Sequence, residues 1–147
     1  MRVVLVSMLA LAASGCVDAI DQDSTECESI MLPRVLAKAR TMPANTVLQA
    51  KGAEIEHVFE GGEERTKSIL RQVQRLWKSA RAEPIDEITW GLFLREDAVD
   101  FSGRAEQRTK ELCGFAEANR VKYDSWWLDA PEIADYTTQL KPVEPWQ

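Results

Sequence analysis

Between Ala53 and Ala80 the chain changes its hydrophobic period once, across a pair of glycines. In AEIEHVFE, residues 53 to 60, Ala53, Ile55, His57 and Phe59 alternate with Glu54, Glu56, Val58 and Glu60, the two-residue repeat of a half-buried strand. Gly61 and Gly62 end it. Beyond them Ile69, Leu70, Val73, Leu76, Trp77 and Ala80 recur at helical spacing behind Glu63 and Glu64, whose charge suits the positive end of a helix dipole. A helix over 62–81 is expected. A strand running straight into an amphipathic helix confines the chain to folds in which helices cover a sheet.

The remaining elements extend that choice. A short strand at 82–85 and a longer one at 88–95 read as a hairpin with Asp86 and Glu87 at its turn. Pro84 has no N–H for a ladder, so the first of these strands belongs at a sheet edge. Ile88, Trp90, Leu92 and Leu94 share one face of the second. A helix over 103–119 follows, with Ala105, Thr109, Leu112 and Ala116 as its inner stripe, and then a last strand at 121–128, VKYDSWWL. In an unbulged strand Tyr123 and Trp127 point one way and Asp124 and Trp126 the other. One tryptophan is then core, and the other lies on the sheet's second face, where the N-terminal helix or the tail can cover it; packing of both is the favoured reading. The order strand, helix, strand, strand, helix, strand predicts an α+β, ferredoxin-like domain over 46–130, a four-stranded antiparallel sheet with both helices on one face.

The N-terminus reads differently. MRVVLVSMLALAASGC has one early positive charge, an apolar run from Val3 to Ala13 and small residues before Cys16, the layout of an export signal over 1–15. The run is too short for the roughly 20 residues of a membrane-spanning helix. Ala13-Ser14-Gly15-Cys16 resembles the lipobox of bacterial lipoproteins, which implies acylation of Cys16 and a membrane partner reached through that anchor. Val17 after the cysteine resembles the pattern of lipoproteins sent to the outer membrane. The implied address is the cell envelope, on its periplasmic side. Residues 17 to 28, VDAIDQDSTECE, are acidic and without period, as expected of a flexible tether. A short helix from Pro33 to Arg40 completes an extension over 16–45, stopped by MPAN at 42–45. The tail over 131–147, with prolines at 131, 142 and 145, reads as extended, and Trp146 is a candidate to cover the sheet's second face.

Within the domain, IEHVFEGGEE at 55–64 and LCGFAEANRVKYDSWW at 112–127 resemble the family of bacterial regulators of ribonuclease activity B, the ribonuclease E inhibitors. The matched positions are Ile55, Glu56, His57, Phe59, Ala116, Glu117, Tyr123, Asp124 and Trp126. Ser125 stands where the family has glycine, and Trp127 where it has a small residue. The resemblance implies a ferredoxin-like fold and a regulator that binds a protein without chemistry of its own; its motif residues Tyr123, Asp124 and Trp126 are the candidate binding residues, and the open sheet face around Trp126 is the expected contact surface. It supplies no catalytic residue. In the cytoplasm the implied partner is ribonuclease E; an exported lipoprotein meets a different one.

Other signals are weaker. Cys27 and Cys113 are an even pair in an oxidising space, and both a bridge and two free thiols stay open. His57, the single histidine, has no ligand-spaced partner and reads as a satisfied core residue rather than a base or metal ligand. Lys67, Arg71, Arg75 and Lys78 read as a solvated helix face. A formal charge of −6, from 18 basic and 24 acidic residues, argues against sequence-independent nucleic-acid binding. No cofactor and no metal site is expected.

Overall fold

The structure, a computed structural model, describes residues 19–130. The signal-like segment with Cys16, and the tail with Trp146, lie outside the described residues. The elements are α1 (Ser24–Ala39), α2 (Asn45–Lys51), β1 (Glu54–Gly61), α3 (Glu63–Val73), β2 (Ser79–Pro84), β3 (Trp90–Asp97), α4 (Ala98–Ser102), α5 (Ala105–Asn119) and β4 (Lys122–Asp129). The architecture is α+β. Four strands form one sheet in the order β2-β3-β1-β4, every neighbouring pair antiparallel. Pro84 closes β2, an edge strand, where its missing N–H costs no ladder bond.

One core lies on one side of the sheet. Ile55 and Phe59 from β1, Leu92 and Leu94 from β3, and Tyr123, Trp126 and Leu128 from β4 pack with Ile69 and Val73 of α3 and Leu112 and Ala116 of α5. The hairpin turn is held as its sequence suggests, with Asp86 Oδ1 accepting from the amides of Ile88 and Thr89 at 2.9 and 2.7 Å. Arg120, at φ 56°, ends α5 in the left-handed region, and the Val121 amide donates to Ala116 O to close the helix before β4.

Three elements differ from expectation. α3 stops at Val73 rather than near 81, although Leu76, Trp77 and Ala80 keep helical spacing. The chain turns instead, Leu76 is exposed, and Ala80 enters β2 opposite Leu94. A short helix not expected from the sequence, α4, precedes α5 and carries the fully buried Phe101. The largest difference is α1, which begins at Ser24 and carries Pro33 inside it. Asp23 caps it, accepting from the Thr25 amide at 2.6 Å. Cys27, Met31 and Val35, four residues apart, make a buried stripe against α5.

The expected tether is therefore folded along much of its length. Ile20 N–H donates to Arg120 O at 3.0 Å, Asp21 pairs with Arg120, and Gln22 Oε1 accepts from the Tyr123 amide on the free edge of β4. Ser24 N–H reaches Glu117. A row of edge amides is an aggregation template, and this strap occupies one of them.

Cys27 and Cys113 join α1 to α5 in a disulfide spanning 86 residues. In the chain-entropy account a loop of that size contributes up to about 4 to 5 kcal/mol. Cys27→Ser with Cys113→Ala should lower the unfolding free energy by about 2 to 4 kcal/mol in urea titrations, and native-state hydrogen exchange should show α1 opening before the sheet. Equal protection of α1 in both proteins would show that packing alone holds it.

Candidate functional site

β4 carries one residue more than β1 opposite it. The register runs Glu56–Trp127, His57–Trp126 and Val58–Ser125, then Phe59–Tyr123, leaving Asp124 unpaired. This is a β-bulge, and it forms without positive φ at Ser125. Serine in place of the family's glycine therefore costs no backbone strain here. The bulge also cancels the simple alternation, so Tyr123 and Trp126 fall on the same, helix-covered side.

The three candidate binding residues are accordingly buried: Tyr123 is 0%, Trp126 1% and Asp124 8% exposed. Trp126 packs on Phe101 with ring centroids 5.0 Å apart, and the Lys38 ammonium lies 5.3 Å from its ring. Burial pushes that ammonium down to about 8. The Trp126 indole N–H has no hydrogen-bond partner among the described residues. The expectation that Trp126 faces the second side of the sheet is corrected: Trp127, half-buried, lies there.

Inside the core a polar chain runs outward from Tyr123. His57, fully buried, has Nδ1 at 2.7 Å from Tyr123 Oη and Nε2 at 2.6 Å from Glu96 Oε1. Arg108 Nε donates to both Glu96 oxygens at 3.1 and 3.0 Å, and its guanidinium lies 4.9 Å from the Trp77 ring. Burial alone would raise the Glu96 carboxyl, but hydrogen bonds from His57 and Arg108 outweigh it and hold it below its usual value. Burial lowers His57 more than Glu96 raises it, so the ring is neutral at pH 7. Burial pushes the Tyr123 hydroxyl well above its usual value. These states fix the tautomer by elimination. An ionised Glu96 only accepts, so His57 Nε2 carries the proton, and Nδ1 accepts from the Tyr123 hydroxyl.

Both nitrogens of His57 are thus occupied by protein groups, which fits the reading of a satisfied core histidine. Its environment is aromatic, with Trp77, Phe101 and Tyr123 rings within 6.0 Å. Glu96 and Arg108 were not singled out as its partners from sequence. The one available signal was that Glu96 continues the core-facing alternation of Trp90, Leu92 and Leu94.

The other face of the sheet has its own ion pairs. Glu56, 1% exposed, is held by Arg81 and by Arg95 Nε at 2.6 Å. Burial alone would raise its carboxyl, but the two guanidiniums outweigh it and hold it below its usual value. Arg95 also reaches Glu54 and Asp129. Beside this network Arg81 stands 4.3 Å from the Phe93 ring, and Phe93 lies 6.2 Å from Trp127. Gly91 makes room for Phe93, since a Cβ there would stand 2.5 Å from the ring.

A cleft of about 600 Å³ lies elsewhere, between the end of α1 and the α4–α5 junction, lined among others by Leu36, Arg40, Arg104 and Lys110. Its carboxylate, Glu106, is engaged by Lys110. Among the described residues no cluster of three or more histidine, cysteine or acidic side chains could hold a metal ion, and no helix is long and apolar enough to cross a membrane.

The polar chain makes stability pH-dependent with a definite sign. A histidine whose folded pKa lies below its unfolded value of about 6.5 contributes stability that is complete above that pH and is lost as pH falls through it. Glu56 and Glu96, both depressed, contribute stability above about pH 4.5 that is lost on further acidification. Urea midpoints should therefore fall in two legs, the first below about pH 6.5, and His57→Gln should abolish that leg alone. Tyr123→Phe, which leaves Nδ1 without its donor, should cost about 1 to 3 kcal/mol at pH 7. A flat profile between pH 7 and 5 would contradict a buried neutral imidazole.

No family model, no curated protein and no solved structure matches the chain.

Proposed function

We propose that this chain is a bacterial envelope lipoprotein whose ferredoxin-like domain acts by binding a protein, not by catalysis. The fold assignment draws on the strand order β2-β3-β1-β4, which is the order that two split β-α-β units produce when they pair antiparallel. It also draws on the resemblance to the regulators of ribonuclease activity B. The export reading draws on the signal-like N-terminus with Cys16 and on the joined Cys27 and Cys113, a pairing that persists in oxidising compartments.

The observation that carries the binding reading is the second face of the sheet. Phe93 and Trp127 stand there half-buried and side by side, and the buried Glu56 pins Arg81 and Arg95 around them. Aromatic rings framed by arginine are the groups that dominate protein–protein contacts. Fixed ion pairs hold those side chains in place before any partner arrives, which lowers the entropy cost of docking. His57, by contrast, is enclosed and fully engaged, so it has no route to a substrate atom.

Two measurements test this reading. Fatty-acid labelling of the native protein should be positive, and Cys16→Ser should abolish it; an unlabelled native protein would favour the cytoplasmic alternative, an inhibitor of ribonuclease E. Site-specific photocrosslinking from the exposed position 83, beside Arg81 on this face, in whole cells should trap a partner that a crosslinker at position 110, on α5, does not. Phe93→Ser with Trp127→Ser should remove that product while moving stability little, whereas Trp126→Ala should cost about 3 to 5 kcal/mol. A crosslink that survives the double substitution would remove this face from the proposal.

A further inference from the structure

The register of the sheet brings three separate pieces of sequence to one end of the molecule. Glu60 pairs with Lys122, Gly61 with Trp90, and Trp90 with Pro84. The β2–β3 turn, the end of β1 and the start of β4 are therefore neighbours. The N-terminal strap joins them there, since Ile20 and Asp21 both bond to Arg120, two residues before β4. At the opposite end Glu54 pairs with both Asp97 and Asp129.

Two further facts concern the turn. Ile88 is 78% and Ile85 46% exposed. The turn backbone is held, because Asp86 accepts from the Ile88 and Thr89 amides and Ile85 N–H donates to Thr89 O at 2.8 Å. The turn thus presents two aliphatic side chains from a fixed backbone. Cys16 is four residues before Ile20, so its Cα can lie no more than about 14 Å from the strap's first bond, whatever path the chain takes.

We propose that this end of the sheet faces the bilayer, with Ile85 and Ile88 entering the headgroup–acyl boundary as a second foothold beside the acyl chains on Cys16. The proposal rests on the lipoprotein reading and deepens it. A single anchor on a short leash leaves a body free to swivel. An apolar turn some two or three strand spacings away, about 10 to 14 Å, gives the body one preferred tilt. Burial of aliphatic surface in the interface drives that contact. Asp86 and Glu87 stand between the isoleucines and repel anionic lipid, so the contact is apolar rather than electrostatic, and salt, which screens that repulsion, does not weaken it. In this orientation the sheet stands with its Phe93–Trp127 face exposed sideways to other envelope proteins.

The test uses the purified full-length native protein in nanodiscs of phosphatidylethanolamine and phosphatidylglycerol, with a fraction of the lipid carrying a gadolinium chelate on its headgroup. Intact-mass analysis first reports the acyl chains. Amide signals of residues 85–89 and 119–122 should broaden away, while those of Leu76, Lys78 and Asp97 survive. Ile85→Ser with Ile88→Ser should restore the turn signals and leave those near Arg120 broadened. An acylated protein whose turn signals persist, or whose turn stays broadened in the double variant, overturns this inference alone. A native protein without acyl mass overturns the lipoprotein reading and this inference with it.

Discussion

One unpaired residue in β4, Asp124, decides which aromatic rings are core and which are surface. Without it Tyr123 and Trp126 would face opposite sides. With it both turn toward the helices, Tyr123 meets His57, and Trp126 closes on Phe101. Trp127 is then the ring left on the other face, opposite Glu56 and near Phe93. The bulge does not need glycine, because no residue of β4 takes a positive φ. Asp124 itself is not left orphaned, since Lys122 and the Ser125 hydroxyl both bond its carboxylate. A buried bulge with its acid unsatisfied would be costly; this one is closed by its own neighbours.

Placing Tyr123 inside has a consequence for the core. A phenol hydroxyl without a partner there would cost on the order of 1 to 3 kcal/mol. His57 accepts its proton, but that leaves the second imidazole nitrogen, which Glu96 takes, and the carboxylate in turn needs Arg108. Each polar group demands the next until the chain reaches groups that water can touch, Arg108 with Glu111. Such a relay adds little net stability over an apolar core. It does tie β1, β3, β4 and α5 to one mutual register, because a slip of any of them strands a charge.

Much of the fold was legible because it depends on period. The strand–glycine–helix switch, the hairpin with its Asp86 turn and the edge position of Pro84 all follow from local chemistry, and all appear in the structure. What failed was decided by contacts distant in sequence. Leu76 and Trp77 keep helical spacing, yet Trp77 is wanted beside His57 and Arg108, so the helix ends early. The stripe Cys27, Met31 and Val35 was hidden by acidic neighbours and by Pro33, and it becomes visible only when α5 is present to receive it. The bulge left no local mark at all. One shifted register was enough to exchange the roles of Trp126 and Trp127, and with them the location of the candidate surface.

That exchange also bears on what the family resemblance can support. Of its nine matched positions, Ile55, Glu56, His57, Phe59, Ala116, Tyr123, Asp124 and Trp126 are buried, and Glu117 is the exception. A likeness carried by buried side chains speaks for how a chain packs. It says little about what the packed body touches, because partners read the surface. The two readings that pull apart, a nuclease regulator's fold and an envelope address, therefore need not compete. Different residues bear on each: the core positions on the fold, and the signal-like N-terminus with Cys16 on the proposed address. Under the proposed binding reading, specificity would lie outside the nine matched positions, at Phe93, Trp127 and the arginines that frame them.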